Sequence, residues 1–475
     1  MTKMNDSESP LCVDLDGTLI RTDLLVESML ALVHRNPLNI FAMLGWMLRG
    51  KAYLKRQIAR RVQVDAATLP YNEALLQHLR EQAPDREMVL VTASDRLLAE
   101  PVAEHLGMFG RVLASDGEAN LSGARKAALL VESYGERGFD YAGNAAIDLK
   151  VWKHARSALV VGSQRLAARA AAAAPLQQHF GTEQGGLRTW FEALRMHQWI
   201  KNLLIFLPLL ASHRVFQELS LSRAAFGFLC FGLCASGVYL LNDLLDLPAD
   251  RRHPRKRKRP FAAGRLPLAQ GLVLTVVLTL TAFGMALWLS PRFALVLLGY
   301  YVLTTAYSFL LKRIAMLDVI VLAALYTLRI IAGTAAIRVP ISFWLLAFSM
   351  FLFLSLAILK RYTELLTMRN QGRDSAHGRG YGVGDLALLQ SMGTSSGYLS
   401  VLVLALYINS TASMALYHRP QVLWLLCPIL LYWISRAWMV AHRDLMHDDP
   451  VVFAVVDRTS RVLFVLAAAI VAGAI

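Results

Sequence analysis

Two sets of carboxylates in this 475-residue chain have the spacing of reactive groups. The first closes an apolar run, Leu11-Cys12-Val13-Asp14-Leu15-Asp16-Gly17-Thr18. Two apart on a strand, Asp14 and Asp16 point the same way. Farther on, VLVTAS puts Thr92 at another strand end, Lys126 falls in an exposed helical stretch, and YAGNAAID places Asn144 and Asp148 after an apolar segment. Carboxylates, a hydroxyl and a lysine at the carboxyl ends of parallel strands suit metal-assisted phosphoryl transfer. The second set lies in VYLLNDLLDLPADRRHPRKRKRPFAAG, where Asp243, Asp246 and Asp250 stand at i, i+3 and i+7 beside Asn242. That spacing predicts one helix face. Such carboxylates repel one another, and both the helix C-terminus and nearby lipid disfavour them further. A divalent cation compensates, and Mg2+ uses a few carboxylates together with substrate phosphate oxygens. The basic run that follows is then expected to hold phosphate or anionic lipid.

The elements that must position these groups follow two grammars. Up to about Val161 short apolar runs alternate with charged helical stretches, as in a soluble α/β domain. Leu11–Val13, Met88–Val91 and Ala158–Val161 read as buried strands, with about sixty mainly helical residues between the first two. Gln164–Gly186 has no strand pattern and reads as a helical connector and linker. Leu187, Trp190, Phe191 and Leu194, with Arg188 and Arg195 beside them, make an interfacial helix pattern. From Trp199 onward nine apolar spans are expected, at roughly 199–216, 223–243, 268–289, 292–311, 315–337, 341–359, 395–417, 420–440 and 458–475. The fold class is therefore an N-terminal α/β domain with a parallel sheet, followed by an all-α multi-pass membrane domain.

Hydrophobic residues make up 56% of the chain and charged residues 17%, which excludes a wholly soluble protein. The net charge is +15, and its basic runs lie between apolar spans, pointing to a membrane surface and anionic substrates and not to nucleic acid. Four scattered cysteines make neither a disulfide framework nor a zinc site. MTKMNDSESP lacks a secretory pattern, so the N-terminal domain is expected in the cytoplasm of an inner-membrane protein, which the basic connections support. Two of those connections carry further candidates. Tyr307-Ser308 and Lys312, with Asp318 following, close span four and open span five, and Lys360-Arg361-Tyr362-x-Glu364 follows span six, with Arg373, Arg379 and Tyr381 downstream. The histidines form no ligand spacing.

Asn-Asp-x-x-Asp-x-x-x-Asp at 242–250, then His253-Pro254 and Arg259-Pro260, resembles the first aspartate-rich motif of the UbiA superfamily of intramembrane prenyltransferases, over about Met196 to Ile475. Most of that family place a second aspartate pair after span six, where this chain has Lys360 and Arg361. Together with Gln198-Trp199-x-Lys201-Asn202 and the Tyr-Ser…Lys…Asp segment, the departure resembles the phosphoribosyl-transferring branch. The resemblance implies 5-phosphoribosyl diphosphate as donor and a polyprenyl phosphate lipid as acceptor. It implies Mg2+ on the leaving diphosphate at Asn242, Asp243, Asp246 and Asp250, and phosphate binding by Tyr307, Lys312, Lys360, Arg361, Glu364 and Arg373.

Residues of about 10–162 resemble the four motifs of the haloacid dehalogenase (HAD) phosphatases, in order. That resemblance implies a nucleophile at Asp14, a general acid/base at Asp16, phosphate orientation by Thr92 and Lys126, and Mg2+ held by Asp14, Asp16, Asn144 and Asp148. A helical cap is expected over about 24–85. Asn144 stands where many members carry an acid. The expected domains are 1–162, a linker and interfacial helix over 163–195, and 196–475. The expectation is a bifunctional enzyme that transfers phosphoribose and then removes the 5-phosphate. Transfer of a polyprenyl chain to an aromatic acceptor, and a non-enzymatic membrane scaffold or transporter, remain the alternatives.

Overall fold

The computed structural model describes residues 9–116, 120–181, 185–372, 380–446 and 449–475. The chain forms two compact units, Met1–Leu194 with Tyr239–Thr275, and Arg195–Val238 with Val276–Ile475.

In the first unit, β1 (Leu11–Val13) is followed by α1 (Leu24–Arg35), α2 (Asn39–Met47), α3 (Lys51–Ala59) and α4 (Glu73–Gln82). Next come β2 (Met88–Asp95), α5 (Arg96–Leu106), β3 (Arg111–Ser115), α6 (Ala124–Tyr134) and β4 (Asp140–Gly143). The chain continues through α7 (Leu149–Trp152), β5 (Ala158–Gly162), α8 (Gln164–Ala171), β6 (Leu176–Gly181) and α9 (Leu187–Leu194). The sheet is parallel in order β3-β2-β1-β4-β5-β6, so the strand order reverses direction at β1. Alternation across the pleat explains its two cores. Leu11, Val13 and Leu90 pack with Leu75, Leu79 and Val102 on one face, while Cys12, Val89 and Val91 pack with Leu130, Tyr141 and Trp152 on the other. Helix α4 thus belongs to the sheet layer. Helices α1 to α3 close a small core of their own around Leu32, Met43, Leu54 and Ile58.

Strand β6 corrects the expectation of a strandless connector over 164–186, for Leu176–Gly181 pairs in parallel with β5. An edge strand has one neighbour, so Leu176, Gln177 and Gln178 stay exposed and leave no apolar pattern to read.

The remaining helices are α10 (Leu207–Ala211), α11 (Glu218–Leu245), α12 (Leu247–Arg252), α13 (Leu268–Leu289), α14 (Pro291–Phe309), α15 (Leu317–Ile337) and α16 (Phe343–Asn370). They are followed by α17 (Leu386–Ile408), α18 (Thr411–Leu416), α19 (Leu426–His442), α20 (Pro450–Val456) and α21 (Arg458–Ala474). Among the described residues seven helices are long and apolar enough to cross a membrane: α11, α13, α14, α15, α16, and α17 and α19 with the 3-10 turns that lead into them. The other two expected spans fall on shorter elements. Residues 199–216 divide into a 3-10 helix, Met196–Phe206, and the five-residue α10, with Pro208 at the junction. At 17 residues, α21 is about 25 Å long. Outward-facing Leu280, Leu295 and Trp288 are exposed, as a lipid-facing surface requires. Between helices, close approach depends on small residues: a Cβ on Gly393 of α17 would stand 2.1 Å from the Trp438 ring of α19.

Candidate functional site

The reversal of strand order at β1 opens a crevice at the carboxyl ends of the strands, and Asp14 stands there. Lys126, expected in an exposed stretch, is instead buried in the first turn of α6, where it donates to Asp14 Oδ1 at 2.8 Å and to the Tyr141 hydroxyl at 3.0 Å. Asp16 Oδ2 accepts from Ser94 Oγ at 2.7 Å and lies 3.4 Å from Thr92 Oγ1, while its Oδ1 accepts from the Leu24 amide that opens α1. Burial, and then the charges of Asp23 and Asp14, outweigh those hydrogen bonds and push the Asp16 carboxyl up to about 7. Asn144 Oδ1 accepts from Thr18 Oγ1 at 3.1 Å. Gly17 has φ +76°, and a Cβ there would stand 2.1 Å from Asn144 Nδ2. The tight DxDG turn therefore needs glycine.

Asp148 is committed to its own loop. Its carboxylate accepts from the Asn144 and Ala145 amides and from the Tyr141 hydroxyl at 2.9–3.1 Å. Asp16 is engaged at both of its carboxylate oxygens as well, and Asp14 and Asn144 each at one. Among the described residues no three His, Cys, Asp or Glu side chains form a ready-made metal cage. Few hard oxygen donors are what Mg2+ takes when it keeps waters and binds substrate phosphate.

At the second carboxylate set the predicted single helix face is corrected. Helix α11 ends at Leu245, Asp246 leaves helical geometry (φ −89°, ψ 10°), and Pro248 sits in the first turn of α12. The aspartates are thus shared between two helices joined at a bend. Arg259 Nη1 nevertheless binds both Asp243 Oδ1 (3.1 Å) and Asp250 Oδ2 (2.6 Å), so two buried carboxylates face one cationic centre. Two buried carboxylates converging on one cation are a donor set of the kind a divalent ion takes.

Part of the basic run has a structural task that the sequence did not disclose. Arg251 pairs with Glu27 of α1, both largely buried, and its Nε donates to the Ala262 carbonyl. Arg252 pairs with Asp65, and His34 Nδ1 lies 2.8 Å from the Leu245 carbonyl.

The second unit gathers the remaining candidates. Asp449 Oδ2 accepts from Lys360 Nζ at 2.6 Å and from Lys201 Nζ at 2.9 Å. Burial pushes the Asp449 carboxyl up, and the two ammonium groups override this and hold it well below the usual carboxylate range. Arg361 pairs with Asp318, donates to Glu364 Oε2 at 2.5 Å and to the Tyr307 hydroxyl at 2.9 Å, and Tyr307 donates to Asp318 at 2.8 Å. Buried Arg329 donates to Asn202 Oδ1, the Tyr300 hydroxyl and the Leu325 carbonyl at 2.9, 3.1 and 2.6 Å. Lys312 lies on the 3-10 turn between α14 and α15. Arg373 and Arg379 lie outside the described residues.

Sequence reasoning missed Asp449, Arg329, Ser94 and Lys55. Arg329 carried a signal, a lone guanidinium inside an apolar span. Lys55, on α3, donates to the Ala93 carbonyl (2.5 Å) and Asn120 Oδ1 (2.8 Å), beside the Asp16 pocket. Burial lowers its pKa, with Asp16 and Asp23 pulling the other way.

Two family models match the chain, the UbiA prenyltransferase family over residues 203–471 and the haloacid dehalogenase-like hydrolases over residues 11–150. The chain belongs to the UbiA prenyltransferase family. This UbiA protein is a multi-pass membrane protein with an N-terminal HAD-like domain. It is 39% identical to the uncharacterized protein y4nM of Sinorhizobium fredii over 96% of this chain and 89% of that one. It is 37% identical to nodulation protein NoeC of Azorhizobium caulinodans over 58% of this chain and 89% of that one. To the decaprenyl-phosphate phosphoribosyltransferase of Mycobacterium tuberculosis it is 40% identical, over 37% of this chain and 59% of the relative.

Proposed function

We propose that this UbiA-family chain transfers phosphoribose from 5-phosphoribosyl diphosphate to a polyprenyl phosphate, and that its HAD-like domain then removes the 5-phosphate. The observation that carries this reading is the cationic second segment. Lys360 and Arg361 occupy the place where an aromatic prenyltransferase would carry a second acidic pair, and both are held by acids, Asp449 and Asp318, with which an incoming phosphate competes. The name of the mycobacterial relative supports the same transferred group and class of acceptor.

In the first step a phosphate oxygen of the lipid forms a bond to the ribose anomeric carbon as the bond to diphosphate breaks. The electron pair leaves with the diphosphate. Asp243 and Asp250, with Asp246 and Asn242, are the residues to hold Mg2+, which supplies charge neutralisation for that leaving group. Lys201 and Lys360 orient phosphate, and Arg361 keeps Tyr307, Asp318 and Glu364 in register. In the second step an Asp14 oxygen attacks the 5-phosphate phosphorus, and Asp16 protonates the departing ribose oxygen. Water then cleaves the aspartyl-phosphate while Asp16 takes up its proton. A carboxyl raised to about 7 is protonated often enough at neutral pH to act as that acid. Lys126 holds Asp14 in position, and Asp14 and Asn144 are the residues to hold the metal while Asp16 carries the proton. The active domain is proposed to face the cytoplasm at the inner membrane.

The test gives the purified chain labelled 5-phosphoribosyl diphosphate with polyprenyl phosphate, or polyprenyl diphosphate with an aromatic acid, and reads lipid products by mass spectrometry. Label in lipid from the first pair, with the 5-phosphorylated product accumulating in Asp14→Asn, is expected. Product from the second pair alone overturns the transferase reading. An unchanged product profile in Asp14→Asn overturns the coupling of the two steps.

A further inference from the structure

Helix α2 turns apolar side chains away from its own unit. From Pro37 to Leu48 the chain carries no charged residue. Leu38, Phe41 and Leu48 are 68%, 70% and 90% exposed, and Ile40, Leu44 and Met47 are exposed as well. At 3.6 residues per turn Ile40, Phe41, Leu44, Met47 and Leu48 fall within an arc of about 120°. The opposite face is already engaged, with Met43 buried beside Leu32, Leu54 and Ile58 and Trp46 packed against them. Six large exposed hydrophobics within eleven residues make a patch that water does not favour.

Three observations name what covers it. Exposed Arg35, Arg49 and Lys51 bracket the uncharged stretch, which suits anionic headgroups. The hydrogen bond from His34 to the Leu245 carbonyl ties α1 to the last residue of the membrane-crossing helix α11. Asn39, the first residue of α2, follows His34 by five residues, so α2 begins within about 18 Å of that attachment. The twelve uncharged residues are also too few to cross a bilayer, and a one-sided apolar helix of this length lies in its plane.

We propose that α2 is an interfacial anchor whose outward face lies in the headgroup–acyl boundary of the membrane that α11 crosses, with Arg35, Arg49 and Lys51 on anionic headgroups. Helix α3 begins four residues after α2 and carries Lys55 to the edge of the Asp16 pocket. The anchor therefore keeps α3 and Lys55 at the bilayer surface.

The full-length chain is reconstituted at one copy per nanodisc in lipid containing phosphatidylglycerol, with a nitrobenzoxadiazole label on Phe41→Cys, or on Leu48→Cys should the first variant not fold. The four native cysteines are buried, so labelling is selective. The reference is Glu104→Cys, exposed on α5. Labels at 41 or 48 are expected to emit at shorter wavelength, to lose emission to doxyl-labelled lipids and to resist aqueous iodide, with the reverse at 104. Equal iodide access at 41, 48 and 104 overturns the proposal. So does shielding found only with two copies per disc, which assigns the face to a second chain. No substrate enters the measurement, so its outcome is independent of the proposed reaction.

Discussion

Asp243 and Asp250 share one guanidinium, so each carboxylate has a defined electrostatic task. Asp243→Asn is expected to lower lipid labelling from phosphoribosyl diphosphate on the order of a hundredfold, the scale of removing a group that stabilises transition-state charge. Raising the Mg2+ concentration should recover part of it, and labelling at the wild-type rate would refute the assignment. At the other site, Gly17→Ala forces an alanine to φ +76° and toward the Asn144 amide. A cost of about 1–3 kcal/mol is expected, read as a lower melting temperature of the N-terminal unit together with slower hydrolysis of a phosphomonoester. At this scale the DxDGT run and the NDxxDxxxD run were legible because both are contiguous. Asp449 was not, because it lies 248 residues from Lys201 and 89 from Lys360, and no local pattern marks a counter-charge.

Arg251 and Glu27 join two elements that the sequence kept apart by 224 residues. Their side chains are 5% and 11% exposed, so losing either leaves the other charge buried without its main partner. Glu27→Gln and Arg251→Met are each expected to destabilise the first unit by about 3–5 kcal/mol, and the pair together by clearly less than the sum. Thermal unfolding of the four proteins of the cycle measures this, and strict additivity would mean that the pair does not couple. The sequence placed α1 in an expected helical cap and Arg251 in a basic run, and the structure puts Arg251 near the end of α12. What it did not contain was that this run binds α1, since a run of arginines reads equally as a phosphate or lipid surface. The bend at Asp246 escaped for a different reason: periodicity extends a helix through a proline that the chain uses to start a new one.

Across the molecule, acid sensitivity is set by buried carboxylates such as Asp140 at the start of β4. Burial pushes its carboxyl up, and hydrogen bonds from Arg156, Ser157 and Arg86 override this and leave it below the usual range. A folded pKa below the unfolded value means stability present above about pH 4 and lost as the pH falls through the folded value. Wild type is therefore expected to lose stability of the N-terminal unit below about pH 4, and Asp140→Asn to be less stable at neutral pH with a flatter acid limb, read by unfolding between pH 3 and 7. The sequence by itself determined the two grammars, the strands around Asp14, seven of the nine expected spans and the family, because hydrophobic period and contiguous motifs are local properties. Only the tertiary structure decided which charges neutralise which, that β6 joins the sheet, and that one face of α2 is left outside its own core. Those outcomes depend on which distant segments meet, and in a chain of this length the choice of partner is made by packing.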